Sequence, residues 1–172
     1  MWRAKLFMVT AVTLFFMGSC EQVDHEAGKI VAREGGPAVH MVSGEDPEMN
    51  SAIAQARSTV DTFITSLQNP GQNQTYFSIK AKIVDGEHSE HMWLYDVGFD
   101  GNQFQGKIGN NPLNVKNVSL GDDLVLGPSE ISDWMIVEDN TLVGGYTIRV
   151  IRNRLSDEDR KKFDQDLPFT IN

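Results

Sequence analysis

The chain has 172 residues, a formal net charge of −9 at pH 7 and a hydrophobic fraction of 40%. Its length fits one domain with a sizeable core, and its single cysteine excludes a disulfide within the chain. The acidic balance disfavours nucleic acid and anionic lipid as partners, because both carry negative charge. We therefore expect a fold stabilised by packing alone and no nucleic-acid partner.

The first 19 residues have the features of an export signal. Arg3 and Lys5 precede an apolar run over residues 6–17, and two small residues stand before Cys20. The run is too short to span a bilayer, which takes about 20 apolar residues. The stretch "FMGSC" resembles the lipobox of bacterial lipoproteins, which implies a diacylglycerol on the thiol of Cys20 and fatty acyl chains such as palmitate. The alternative is a signal peptide cleaved nearby, with Cys20 an ordinary leader residue.

The resemblance to lipoproteins also implies a location. A lipid at Cys20 would make the membrane a partner of the mature chain, in the cell envelope and facing the periplasm. Glu21 follows the cysteine, and the sorting convention of such lipoproteins favours the outer membrane over the inner when aspartate is absent there. Residues 20–46 then form a flexible tether, rich in glycine and charge. Its stretches "KIV" and "AVHMV" could instead be short strands that dock on the folded body.

The folded body is predicted to span residues 47–172 and to begin with an amphipathic helix over 47–68. Asp46 can cap this helix and Pro47 suits its first position. Apolar residues recur at spacings of three and four, and Pro70 follows the end of the pattern. We expect this helix to pack on a sheet.

After this helix the apolar residues recur at every second position and no longer at every third or fourth, which predicts strands. One strand begins at Tyr76, with isoleucines on an apolar face and Lys80 and Lys82 on a basic, solvated face. Turn signals at 85–86 and 100–101 separate it from two more strands, so an antiparallel meander is predicted. In the second strand every odd residue from His91 to Phe99 is predicted to share one side.

The last third of the chain predicts further strands and a helical end. Residues 128–134 are predicted to form a turn or short helix that ends at Trp134. Residues 135–145 are predicted to form a hairpin. The segment 146–155 fits either a helix or a strand, and we favour the helix. Ser156 caps a final helical segment with acidic residues first and basic residues later. The fold class is α+β: an amphipathic helix packed on an antiparallel sheet of about five or six strands, with a C-terminal helical segment.

The stretch "EHSEH" at residues 87–91 has the residue types of a zinc site. Metalloprotease motifs place two histidines four residues apart on one helix face, whereas His88 and His91 are three apart. In a strand that offset puts them on opposite faces. We therefore interpret the stretch as the polar start of a strand and expect neither a metal nor another cofactor.

Other polar and aromatic residues remain as candidates for a binding site. His91 is predicted to share a face with Trp93, and the alternative is a histidine at the rim of the core. Trp93 and Trp134 are either core residues or the walls of one pocket beside His91. Asp133 could pair with Arg149 or cap a turn, so the pair is as readily structural as functional. No "G-x-S-x-G" elbow or complete phosphate loop occurs.

Three stretches, "EHMWLYDVGFDGNQFQGKIGNNP", "GDDLVLGPSEISDWM" and "GGYTIRVIRNRLS", together resemble the YegJ-like family, bacterial proteins grouped under a domain of unknown function. The resemblance covers roughly residues 50–165 and implies a compact α+β domain without an assigned activity. The matching positions are His91, Trp93, Gly106, Asn111, Pro112, Asp133, Trp134, Gly144, Gly145, Thr147 and Arg149. The candidate binding residues are His91, Trp93, Asn111, Asp133, Trp134 and Arg149.

Three functions follow from these features. The leading hypothesis is a lipid-anchored envelope protein whose domain binds a protein or a small polar ligand without turning it over, because no catalytic constellation is complete. The second is a hydrolase-like enzyme with a pocket around His91 and the two tryptophans. The third is an immunity-type protein that neutralises a basic toxin through its acidic surface.

Overall fold

A computed structural model of the protein describes residues 30–33, 36–40 and 46–172. The predicted signal peptide and the lipidation site Cys20 lie outside these residues. Within the predicted tether, strand β1 (Ile30–Arg33) pairs antiparallel with β2 (Gly36–His40). These two strands form a sheet of their own.

Two helices, α1 (Pro47–Ser58) and α2 (Val60–Gln68), replace the single helix predicted over 47–68. The start is as predicted, because the Asp46 carboxylate accepts the Met49 N–H at 3.0 Å. The break falls at Thr59, whose hydroxyl lies 2.8 Å from the Gln55 carbonyl, a contact that bends helices. The Trp134 indole N–H donates to the carbonyl of Ala56, the acceptor that residue 60 would use in an unbroken helix.

The main sheet has six antiparallel strands in the order β6-β5-β4-β3-β7-β8. Its strands are β3 (Gln74–Asp85), β4 (His88–Phe99), β5 (Phe104–Ile108), β6 (Asp123–Leu126), β7 (Ile131–Glu138) and β8 (Thr141–Gly144). Helices α3 (Tyr146–Arg154) and α4 (Asp157–Gln165) follow. The α+β prediction is confirmed, as is the helix at 146–154. Only residues 128–130 form a helical turn before Trp134, because β7 already begins at Ile131.

The main core lies between α1, α2 and one face of the sheet, here called the helix face. The Phe63 ring is fully buried at its centre, with its centroid within 6.1 Å of those of Phe77, Phe104 and Trp134. The buried strand residues of this face include Ile79, Ala81, Ile83, Met92, Leu94, Ile108, Leu126 and Ile136. They alternate with residues of the opposite face, here called the open face.

The odd residues of β4 do not all share one side as predicted. His91, Trp93 and Tyr95 lie on the open face, but Val97 and Phe99 pack against the main core. The register with β5 shifts between residues 95 and 98, where Asp96 has a φ of 50°. The extra residue of this bulge moves every later side chain to the other face.

Among the described residues, those that cover the open face lie at one end of the sheet. A second cluster of Val137, Leu142 and Phe169 packs the C-terminal segment against β7 and β8. Over β3–β6, in contrast, Val84 is 58% exposed, Tyr95 41% and Val125 55%. In the part of the chain that the structure describes, the open face of β3–β6 is therefore accessible to solvent.

The main chain approaches Trp134 closely at the turn from β8 into α3, and a substitution of Gly144 in this turn tests that approach. Gly144 has a φ of +72°, and a Cβ there would lie 2.5 Å from the Trp134 carbonyl oxygen. Gly86 has a φ of +59° and open space around it. We expect Gly86→Ala to lower the free energy of unfolding by about 1–2 kcal/mol through backbone strain. Gly144→Ala should add overpacking of about 1–3 kcal/mol. Urea unfolding checks this, and equal losses would contradict the close approach.

Candidate functional site on the open face of the sheet

The structure separates the predicted site residues into several places. His91 and Trp93 lie on the open face, whereas Trp134 lies on the helix face inside the core. No pocket can therefore contain both tryptophans. Asn111 is exposed in the loop between β5 and β6, and Arg149 lies on α3.

Trp134 is a core residue with its polar atom satisfied. It is 2% exposed, and its indole N–H lies 3.0 Å from the Ala56 carbonyl and 3.2 Å from the Thr59 hydroxyl. Its ring contacts those of Phe63 and Tyr146. These contacts explain Trp134 through packing, without a ligand.

Arg149 binds backbone carbonyls and does not pair with Asp133. Its guanidinium donates to the carbonyls of Leu142 at 2.8 Å, Gly144 at 3.1 Å and Asn172 at 2.7 Å. The side chain thereby joins the end of β8 to the C-terminus of the chain. This contact set gives Arg149 a structural role.

The "EHSEH" stretch is the polar start of β4, as predicted. His88 pairs with Asp85 across the turn, and His91 lies on the other side of the strand. Glu90 is buried and accepts the N–H groups of Leu113 and Asn114 in the loop after β5. Among the described residues, no group of three or more His, Cys, Asp and Glu side chains could hold a metal ion.

Asp133 is a fully buried carboxylate that caps a helix from a neighbouring strand. One oxygen accepts the N–H groups of Trp134 at 2.9 Å and Tyr146 at 3.1 Å. The other accepts the N–H and the hydroxyl of Thr147 at 2.8 and 2.6 Å. Helix α3 needs this cap because its own N-cap, Gly145, has no side chain. Burial raises the pKa of Asp133, and the Thr147 hydroxyl and the Lys80 charge oppose that rise.

Lys80 stands between Trp93 and Asp133 in the sheet register. Its Nζ lies 3.2 Å from the Thr147 hydroxyl and 5.4 Å from the centroid of the Trp93 ring. Burial lowers the pKa of Lys80, and the charge of Asp133 opposes this change. The prediction of a wet lysine is wrong at this position, because Trp93 and the start of α3 enclose the amine. The alternation of apolar and polar residues predicts which face of the sheet Lys80 lies on. The residues around its amine depend on the strand order, which the alternation does not show.

His91 forms the outer part of the same face. Its Nδ1 lies 2.8 Å from the hydroxyl of Ser132, which is 1% exposed. Burial lowers the pKa of His91 to about 4, and the charges of Lys80, Lys82 and Arg57 add to the effect. More than a third of the residue's surface is still exposed, so solvent screens part of these charges. The imidazole is therefore neutral at pH 7 and reachable from solvent.

A shallow cleft continues the open face beyond Tyr95. It has a volume of about 410 Å³ and includes Asp96, Gln105, Lys107 and Asp123 in its lining. Lys107 and Asp123 form a 2.8 Å ion pair across β5 and β6. The lysine of the cleft and one of its carboxylates are therefore already paired with each other.

Comparison with protein families matches residues 46–170 to a family described as uncharacterized proteins conserved in bacteria, DUF2314. The chain belongs to the DUF2314 family. It is similar to Escherichia coli (strain K12) uncharacterized protein YegJ, with 38% identity over 58% of this chain and 64% of YegJ. It is also similar to a protein of Neisseria meningitidis serogroup B whose name refers to ankyrin repeats, NMB1133/NMB1171, with 30% identity over 76% of this chain and 54% of that protein.

The chain thus spans less than two thirds of the length of either relative. No solved structure matches it. The YegJ-like resemblance predicted from the three sequence stretches is confirmed, and the family name brings no activity with it. In the described part of the chain, no helix is long and apolar enough to cross a membrane.

The buried Asp133 carboxylate that caps α3 is expected to contribute strongly to the free energy of unfolding. We expect Asp133→Asn to lower the free energy of unfolding by about 3–5 kcal/mol, because Lys80 would lose the only carboxylate beside it in the described sheet. Asp123→Asn removes the exposed partner of Lys107 and should lower the free energy of unfolding far less, because solvent screens this pair. Denaturant unfolding of both variants checks the difference, and a small loss for Asp133→Asn would show that the carboxylate does not hold α3.

The environment of His91 predicts an acid-sensitive component of stability. Its pKa falls from 6.5 to about 4 on folding, so the unfolded chain binds the proton more readily. The free energy of unfolding should therefore fall as the pH drops from about 6.5 to about 4. His91→Gln should weaken this dependence, measured by unfolding at several pH values. The control His88→Gln removes an exposed imidazole of the same strand, so a change seen in both variants would be a general effect of losing an imidazole. An unchanged dependence in His91→Gln would refute the assignment.

Proposed function

We propose that this protein is a lipid-anchored component of the bacterial cell envelope, whose domain binds a partner protein or a small polar ligand without catalysing a reaction. The anchor is the lipid expected at Cys20, with the outer membrane favoured over the inner by Glu21. The binding surface is the open face of β3–β6.

One observation carries the binding proposal: the open face exposes apolar and aromatic side chains beside polar groups. Val84, Tyr95 and Val125 are each more than 40% exposed, and Lys82 and His91 are exposed on the same strands as Val84 and Tyr95. Apolar groups exposed on the uncovered face of a sheet, bordered by polar residues, are typical of interaction sites. Tyrosine suits such a surface, since it presents a large contact area with a polar end.

The polar candidates favour binding over catalysis. Asp133 is used to cap α3, Trp134 to fill the core and Arg149 to hold the C-terminus. A catalytic base needs a partner within reach and access to substrate. Of the predicted site residues, His91 and Trp93 retain part of their surface on the open face, which supports a ligand-contacting role for them.

Photo-crosslinking in bacterial cells tests both parts of the proposal. A full-length chain with benzoylphenylalanine in place of Tyr95 should give adducts, read by intact mass so that small ligands are also detected. The same group in place of Lys161, an exposed residue of α4, is the matched control and should give none. Cys20→Ser should leave the membrane fraction.

Equal crosslinking from both positions would contradict the assignment of the open face. Retention of Cys20→Ser in the membrane fraction would contradict the anchor. The two results are independent, so one part of the proposal can fail without the other.

A further inference from the structure

We propose that a phosphate-binding site formed by Lys82, His91 and Arg57, with the Ser132 hydroxyl beside them, lies where the open face meets the start of β7. This inference rests on the proposed binding function of the open face and names the chemical class of its ligand, a molecule that carries a phosphate group. The group could belong to a soluble compound or to a lipid headgroup, and both present the same dianionic or anionic oxygens.

The site is assembled from four elements. Lys82 and His91 are direct partners in the β3–β4 register, which places their side chains next to each other on one face. The His91 ring reaches across to Ser132 of β7, 2.8 Å from its hydroxyl. Arg57 comes from α1, and its Nε donates to the carbonyl of Ile131 at 2.8 Å, next to Ser132.

The cations of this site lie near the His91 imidazole. The charges of Lys80, Lys82 and Arg57 all contribute to the lowered pKa of His91. Lys82, Arg57 and His91 are exposed. Like charges placed close together repel, and a bound anion would relieve this repulsion.

The carboxylates of this region are engaged elsewhere. Asp133 faces Lys80 and the start of α3, Asp85 accepts the N–H of Lys116, and Glu130 accepts the N–H of Gly127. Glu90 lies on the helix face and holds the loop after β5. Within residues 46–172, neither Lys82 nor Arg57 forms an ion pair.

Phosphate fits this set of donors better than a single carboxylate. Arginine offers a fork of N–H groups that matches phosphate oxygens, and lysine adds a compact positive charge. An imidazole N–H supplies a further donor. The whole chain carries a net charge of −9, so the local excess of cations is a feature of this site and does not reflect a basic protein.

The test is a titration of the full-length chain, purified in a non-ionic detergent, with inorganic phosphate at constant ionic strength. NMR resonances of the His91 ring should shift in a saturable way. Bound phosphate should also raise the pKa of His91 from about 4, because an anion favours the protonated ring. Lys82→Met and Arg57→Met should each weaken binding by about tenfold or more, the expected loss for a charge-assisted hydrogen bond.

Lys107→Met is the matched control. It removes a cation from the same face, but one that is paired with Asp123 outside the cluster, and it should leave phosphate affinity unchanged. Thermal melting verifies that each variant is folded. Lys82→Met is decisive because, within residues 46–172, the Lys82 side chain forms no hydrogen bond that the fold would lose. Shifts that chloride reproduces, or equal affinity in Lys82→Met and wild type, would overturn the proposal.

A second arm identifies the source of the phosphate. In bicelles that contain phosphatidylglycerol, a headgroup ligand would shift the His91 resonance before any phosphate is added, and added phosphate would move it no further. A soluble ligand predicts that phosphate shifts the resonance equally in these bicelles and in detergent. If phosphate does not bind while crosslinks from position 95 are still formed, only the phosphate site is contradicted. If the crosslinks are also absent, the proposed binding function is contradicted as well.

Discussion

The buried carboxylate of Asp133 is the interaction on which the rest of the structure depends. Moving a carboxylate out of water is costly, and four hydrogen bonds together with Lys80 offset that cost here. The bonds fix the start of α3, which brings the Tyr146 ring against Trp134. Trp134 in turn donates to α1 at the break between α1 and α2. One strand residue thus sets the positions of the helices at this end of the sheet.

The two faces of the sheet have different roles in this account: the helix face stabilises the fold, and the open face is the proposed binding surface. The helix face and the second cluster hold the large buried residues. On the open face, Lys80 is drawn inward by Asp133 and Thr147, while its neighbour Lys82 stays in solvent. Substitutions of outer residues such as Lys82 or Tyr95 should therefore change binding with little effect on folding, since they contribute few buried contacts.

Much of the fold could be predicted from the sequence because local patterns control it. The alternation in β3, the turn at Asp85 and the acidic-to-basic order in α4 each act within a few neighbouring residues. The break at Thr59, the bulge at Asp96 and the enclosure of Lys80 depend on contacts with distant elements, so periodicity could not show them. His91 and Trp93 could be assigned to one face because they are two residues apart on one strand. The position of Trp134 on the opposite face depends on the register between β3 and β7, which the sequence does not show.

Amine labelling of the folded full-length chain tests the central claim most directly, namely that an anchored Lys80 lies beneath an accessible open face. With an acylating reagent and peptide mass spectrometry, the account predicts rapid modification of Lys82 and much slower modification of Lys80. An accessible amine with a lowered pKa would react faster than an ordinary lysine, because more of it is unprotonated. Modification of Lys80 as fast as Lys82, or protection of Lys82, would contradict the account.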